Sequence, residues 1–206
     1  MCSLGILNGL APLHVAVYCK EYELCKYIIE KIGNERFEDA IGLTPLHSAA
    51  LNGCLDLCIL LNENLNYKNQ GDHGGNTPLH WAAMGGHLYV YKYISGYLVN
   101  KNPRNSRGTT PLHEAADRGH LEVCKFIIEN VPNKNPGNCE GNTPLHIAAN
   151  SGHLNIYKLI VEYVQEENLG NINGDKPLHM AAGQGYLEIC KVIIENVQNK
   201  NPGNND

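Results

Sequence analysis

Residues 110–116 read Thr-Pro-Leu-His-Glu-Ala-Ala, and closely similar stretches occupy residues 44–50, 77–83 and 143–149. Residues 11–17 and 176–182 carry two altered copies of the same pattern. The prolines of the six copies follow one another every 33 residues, without insertion or deletion, at Pro12, Pro45, Pro78, Pro111, Pro144 and Pro177. A fixed period of this length indicates a protein built from stacked structural repeats.

The fourth copy shows how one repeat is expected to fold. Thr110 can cap a helix, and Pro111 suits the first helical position, where a backbone N–H has no partner within the helix. Gly119 is expected to end this short helix, and a second helix follows it. Apolar residues at helical spacing predict the buried face of each helix, namely Leu112, Ala115 and Ala116, then Leu121, Cys124, Ile127 and Ile128. Residues 130–139 are rich in Asn, Pro and Gly and predict a turn.

The period divides the chain into a lead-in, residues 1–7, and six repeats: 8–40, 41–73, 74–106, 107–139, 140–172 and 173–205. One helix pair cannot bury both of its apolar faces alone, whereas stacked pairs can. The sequence therefore predicts an all-α, curved array with the short helices and turns on its concave side. We expect residues 8–206 to form one domain.

The full pattern, Gly-x-Thr-Pro-Leu-His-x-Ala-Ala-x-x-Gly-His-Leu-Glu at residues 108–122, resembles the ankyrin repeat, and the resemblance covers residues 8–205. It implies an α-solenoid of helix–turn–helix repeats joined by β-hairpin-like turns. It also implies a protein-binding scaffold without catalysis, in which each motif histidine bonds to backbone and locks neighbouring turns together.

The first and last copies depart from this pattern. In the first, Ala11 replaces Thr, Val17 replaces Ala and Lys20 replaces Gly, and the start of its second helix is polar. These changes suit an N-terminal cap that faces water on one side. In the last, Lys176 replaces Thr, but residues 186–194 keep the internal apolar pattern. We therefore expect that the array continues in a longer protein or that this end self-associates. Without self-association, the chain is predicted to be a monomer.

The charge and composition of the chain argue against several classes of protein. The formal net charge of −5 argues against a nucleic-acid or anionic-membrane surface, and no apolar run approaches the roughly 18 residues of a transmembrane helix. Eight cysteines are too few for a disulfide scaffold. Four of them share one position of the repeat with two tyrosines, namely Cys25, Cys58, Cys124 and Cys190 with Tyr91 and Tyr157. A position that takes either residue is expected to be a reduced core position, which favours an intracellular location in the cytoplasm or nucleus.

The sequence predicts no enzyme, cofactor or metal. Six of the ten histidines share the motif position, at His14, His47, His80, His113, His146 and His179. Equivalent atoms of stacked helices lie about 10 Å apart, whereas zinc ligands must lie about 2 Å from one ion. No Gly-x-Ser-x-Gly nucleophile motif and no phosphate-binding glycine loop occurs. Cys139, in a turn, is the best candidate for a modifiable thiol, the alternative being an incidental surface cysteine.

Function is expected where the repeats differ, because shared positions maintain the fold. The position after the motif histidine differs in every repeat. Two positions before the helix-ending glycine and one turn position before the motif threonine also vary among the repeats. The partner-binding prediction therefore comprises Leu43, Ser48, Leu51, Asn52, Asn76, Trp81, Met84, Arg107, Thr109, Glu114, Asp117, Arg118, Asn142 and Ile147. Trp81, the only tryptophan, is the predicted anchor of a bound protein or peptide. The alternative function is a structural spacer within a longer array.

Overall fold

The computed structural model describes residues 11–32, 37–65, 69–164 and 169–200, with side chains up to Asn196. This part of the chain holds twelve α-helices and no strand. Each repeat contributes a short helix and then a longer one. The helices are α1 Pro12–Tyr18, α2 Tyr22–Ile32, α3 Pro45–Leu51, α4 Leu55–Asn64, α5 Pro78–Met84, α6 Leu88–Gly96, α7 Pro111–Arg118, α8 Leu121–Asn130, α9 Pro144–Asn150, α10 Leu154–Val161, α11 Pro177–Gln184 and α12 Leu187–Lys200. The predicted all-α fold of six helix pairs is confirmed.

The helices belong to two units, residues 1–106 and 107–206. In the first unit, α1 packs on α3 and α3 on α5, while α2 packs on α4 and α4 on α6. In the second, α7 packs on α9 and α9 on α11, while α8 packs on α10 and α10 on α12. Each unit is thus a two-layered stack of three repeats, with the short helices in one layer and the second helices in the other.

Local sequence explains where the short helices begin and end. Each begins at a proline, whose missing N–H costs nothing at that position. The residue before that proline has extended backbone, as at Thr110 with φ −114° and ψ 163°. Gly119 follows the helix with φ +80°, a left-handed conformation that glycine adopts without steric cost. In the first repeat, Lys20 occupies the equivalent position with φ +59°, and it is the one non-glycine residue with positive φ in the described chain.

Within each unit, the motif histidine links one repeat to the next. The Nε2–H group of His47 donates to the backbone oxygen of Asn76 at 3.0 Å, which leaves Nδ1 as the acceptor. This Nδ1 accepts from the backbone N–H of Thr44 at 3.0 Å and from the Thr44 hydroxyl at 2.8 Å. The same Nε2 bond, always to the residue 29 positions later, joins His14 to Leu43, His113 to Asn142 and His146 to Asp175. The predicted backbone-bonding role of these rings is confirmed.

Burial makes the histidine network pH-sensitive. His14, His47 and His146 are at most 2% exposed, and burial is the main cause that lowers the pKa of each imidazole. The neutral ring is the form that can accept at Nδ1 while it donates from Nε2. The fold therefore selects a single tautomer as well as a single charge state.

The predicted cysteine core position is buried in the first five repeats. Cys25, Cys58 and Cys124 are 0% exposed, and Tyr91 and Tyr157 are equally buried in the same position. Burial raises the pKa of the Cys58 and Cys124 thiols to about 12. All seven described cysteines are free thiols, and Cys190 of the last repeat is partly exposed. Cys25, Cys58 and Cys124 therefore act as small apolar core groups.

The turns between repeats are held by one recurring arrangement. The side-chain oxygen of Asp72 accepts from the backbone N–H groups of Gly74 and Asn76 at 2.9 and 2.8 Å. Asp39, Asn138 and Asn171 make the same pair of bonds in their own turns. Backbone bonds then join consecutive turns within a unit, as from the N–H of Cys139 to the oxygen of Arg107 at 2.9 Å. The turns form a rigid edge beside the short helices.

Candidate functional site

The position after the motif histidine is partly exposed in all six repeats. Its residues are Val15, Ser48, Trp81, Glu114, Ile147 and Met180. In the four central repeats, the histidine before it and the two alanines after it are at most 2% exposed. The helix thus buries the side chains that the repeats share and presents to solvent the one that they do not share.

Predicted binding residues of the first unit lie along its short helices and turns. All seven are partly exposed: Leu43, Ser48, Leu51, Asn52, Asn76, Trp81 and Met84. The indole Nε1 atom of Trp81 is itself buried and has no hydrogen-bond partner in the described structure. A buried N–H without a partner costs free energy, so this surrounding leaves the polar atom of the indole unsatisfied.

The two asparagines predicted at the turn position already have side-chain partners within the fold. The Asn76 side chain contacts both carboxylate oxygens of Asp72 and accepts from the Asn105 amide at 2.7 Å. Asn142 donates to Glu140 at 3.0 Å and accepts from the Asn171 amide at 2.8 Å. Their amides brace neighbouring turns, so a partner would meet groups that are already hydrogen-bonded.

In the second unit, a pocket of about 140 Å³ gathers four of the predicted residues, Thr109, Glu114, Asp117 and Ile147. His113 and Asn138 complete its lining. Arg107, Arg118 and Asn142 lie outside it; both arginines are exposed and Asn142 is partly exposed. Sequence reasoning did not select Asn138, although its place in the recurring turn arrangement was a usable signal.

The acidic groups of this pocket have unequal surroundings. Burial and, secondarily, the charge of Asp117 raise the pKa of the Glu114 carboxyl, while Arg118 opposes the shift. Asp117 accepts from the Ser151 hydroxyl at 2.8 Å, and its other carboxylate oxygen lies 3.5 Å from the Arg118 Nε. Asp117 therefore has a hydroxyl and a guanidinium beside it, whereas burial is the main influence on Glu114.

A second row of histidines also connects repeats. His87 donates from Nε2 to the backbone oxygen of Leu51 at 2.8 Å, and His153 donates to that of Asp117 at 2.9 Å. Both rings lie over a glycine of the preceding repeat, where an added Cβ would come within 2.4 Å of His87 at Gly53 and within 2.7 Å of His153 at Gly119. The sequence argument considered these rings only as metal ligands and did not identify their bonds to the preceding repeat.

Larger openings lie away from the short helices. In the first unit an open groove of about 640 Å³ is lined by Lys20, Tyr22 and residues 53–57 and 59. In the second, another of about 630 Å³ lies beside Lys134 and Tyr163, where the ammonium is 5.6 Å from the ring centroid. Lys134 also donates to the backbone oxygens of Ile128 and Val131, so its charge caps the end of α8.

The described residues show neither a metal-binding group nor a membrane-spanning helix. They contain no group of three or more His, Cys, Asp or Glu side chains that could hold a metal ion. Among these same residues, no helix combines the length and the apolar character needed to span a bilayer. The Cys139 residue is exposed, as predicted, and stays a candidate for modification.

Comparison with known proteins agrees with this architecture. A family model described as ankyrin repeats (3 copies) matches the chain in overlapping segments, residues 2–72, 59–137, 93–168 and 129–206. Together these segments span residues 2–206. A search of curated proteins finds no match to the chain.

Proposed function

The chain belongs to the ankyrin repeat family, whose members generally mediate protein–protein interactions, and we propose that it is a non-catalytic scaffold that binds a protein or peptide through its short helices and turns. The proposal includes an intracellular location, in the cytoplasm or nucleus, supported by the free core thiols. It includes neither a nucleic-acid partner nor a cofactor, in keeping with the net charge of −5.

One observation carries the proposal. Ser48, Trp81, Glu114 and Ile147 occupy equivalent positions of four consecutive repeats, and each is partly exposed between side chains that are almost fully buried. A position that served only packing would take similar side chains in each repeat. A hydroxyl, an indole, a carboxylate and an aliphatic group instead give each repeat its own recognition chemistry.

Trp81 is the proposed anchor in the first unit. Large aromatic side chains dominate the binding energy of many interfaces because they bury much area with little loss of rotamer entropy. The partly exposed Ser48, Leu51 and Met84 on the short helices of the same unit supply small and apolar groups for its surroundings. We propose that a partner covers this surface.

The experiment has two stages. Crosslinking mass spectrometry on the full chain identifies the partner and the contacted residues. Titration calorimetry then compares Trp81→Ala with Tyr89→Ala, because Tyr89 is a 75% exposed aromatic residue on the second helix of the same repeat. Loss of affinity in the Trp81 variant alone supports the proposal. Equal affinities, with crosslinks on the second helices, would place the binding face elsewhere.

The spacer alternative is favoured by the last repeat. Ala182 is exposed and Ile194 is 44% exposed, although the equivalent Ala149 and Ile128 of earlier repeats are 0% exposed. Such a face suits either a further repeat in a longer array or a second copy of the chain. Sedimentation velocity over a range of concentrations separates monomer from self-association. Failure of every short-helix substitution to change partner binding would favour the spacer.

A further inference from the structure

The small pocket of the second unit has the size of one side chain. Its volume of about 140 Å³ is well below the roughly 300–1,000 Å³ of sites that hold a drug-sized ligand. Its lining combines Glu114 and Asp117, three residues apart on α7, with Ile147 on α9. His113 and the turn residues Thr109 and Asn138 complete the lining.

The polar groups of the pocket are not equally free to bind a ligand. His113 uses Nε2 for the Asn142 backbone oxygen and Nδ1 for the Thr110 backbone N–H. Asn138 uses its side-chain oxygen for two backbone N–H groups of its own turn. The Glu114 carboxylate, by contrast, makes no hydrogen bond or salt bridge within the described residues. It is therefore the group to which an incoming donor would bind.

Charge and shape together select the occupant. Two carboxylates face one guanidinium, that of Arg118, which extends into solvent beside Asp117. One negative charge thus remains in excess at the pocket. A lysine or arginine side chain joins a cationic head to an aliphatic stem, which matches a pocket lined both by two carboxylates and by Ile147.

We propose that the pocket formed by Thr109, Glu114, Asp117 and Ile147 receives the side chain of one lysine or arginine of the bound protein segment. The stem packs on Ile147, and the head donates to Glu114 and to Asp117. This inference rests on the proposed function, because it names the chemistry of the partner at that surface. Burial raises the pKa of Glu114, which means that its charge is poorly solvated, and a bound cation would compensate for this.

Selection from a library of random peptides displayed on phage tests the inference without knowledge of the natural partner. The full chain and its Glu114→Gln variant serve as targets in parallel. Glu122→Gln is the matched control, because it removes the same charge from an exposed residue of α8 in the same repeat. We expect peptides selected on the wild type to share one basic position that disappears only with Glu114→Gln. Circular dichroism melts establish that both variants are folded.

A charge swap makes the test specific. Calorimetry with one selected peptide should show that Glu114→Gln weakens binding about tenfold, as expected for loss of one partly buried ionic partner. Glu114→Lys should bind the same peptide more weakly still and should regain affinity when the basic residue of the peptide is changed to glutamate. Selected peptides without a basic position, or with affinities that Glu114 does not affect, would overturn the inference and leave the proposed function standing. Failure to select any peptide would count against both.

Discussion

Ala11→Thr should stabilise the first unit, because the first repeat lacks a hydrogen bond that other repeats make. The Nδ1 atom of His14 is buried and has no partner in the described structure, while its Nε2–H donates to Leu43. In the second repeat, the Thr44 hydroxyl lies 2.8 Å from the corresponding Nδ1. The Ala11 backbone, with φ −67° and ψ 152°, is close to that of Thr44, with φ −94° and ψ 162°. A threonine hydroxyl at position 11 can therefore reach Nδ1 without a change of backbone.

The expected gain is about 1–2 kcal/mol of unfolding free energy. Supplying a partner to a buried polar atom is worth about 1–3 kcal/mol, and a threonine cap is worth about 0.5–2 kcal/mol over alanine. The two ranges describe overlapping contributions of one hydroxyl and are not added. Urea unfolding followed by circular dichroism at neutral pH gives the change.

Ala11→Val is the control, because valine has the shape of threonine but no hydroxyl. Only the threonine variant should shift the urea midpoint upward. The complementary change, Thr44→Ala, removes a 0% exposed threonine. It should lower the urea midpoint and reduce the unfolding free energy by a similar amount. Equal midpoints for the threonine and valine variants would refute the reasoning, since the hydroxyl would then contribute nothing at Nδ1.

Three further predictions follow from described contacts. Trp81→Ala should weaken the native partner by at least about 1–2 kcal/mol with helicity kept, and unchanged calorimetric affinity would remove Trp81 from the site. Lys20→Gly should stabilise the chain by about 1 kcal/mol because Lys20 has φ +59°; Lys20→Ala, which keeps the unfavourable backbone, should show no such gain in urea unfolding. Unfolding free energy should be highest between about pH 6.5 and 9 and should fall on both sides. Below the ordinary histidine pKa of 6.5, histidines of the unfolded chain bind protons that the buried histidines of the folded chain do not bind. Above the ordinary thiol pKa of 9.0, thiols of the unfolded chain release protons that the buried thiols of the folded chain keep. Both differences lower the free energy of unfolding. The groups responsible are His14, His47 and His146 on the acid side and Cys58 and Cys124 on the alkaline side. Each fully shifted group contributes a slope of about 1.4 kcal/mol per pH unit, and urea midpoints that stay constant from pH 5 to 10 would contradict this account.

Local signals in the sequence predicted the helices well. Proline at the start, as at Pro111, and glycine after the end, as at Gly119, act within one turn of chain, so their effect is readable without tertiary information. The prediction of a single curved domain over residues 8–206 stays a prediction, because the two units are described separately.

The candidate site was harder to predict, because the burial and the hydrogen-bond partners of its side chains depend on residues of neighbouring repeats. The repeat position of Asn76 and Asn142 holds other residues in other repeats, as binding positions do. Their amides nevertheless contact Asn105 and Asn171, each 29 residues later. Variation at such a position reflects turn packing as well as recognition. The pocket beside Glu114 needs the side chain of Ile147 from the next repeat, and periodic spacing alone does not define its depth.

The imidazole bonds couple consecutive repeats of a unit in both chain directions. The motif histidine of one repeat donates to a carbonyl of the next, as His47 does to Asn76, whereas His87 donates back to Leu51 of the preceding repeat. When either of two such repeats opens, a polar group of its neighbour loses its partner and must find water instead. Opening of one repeat therefore destabilises its neighbours in the unit, and we expect hydrogen exchange to show their amide protons becoming exchangeable together.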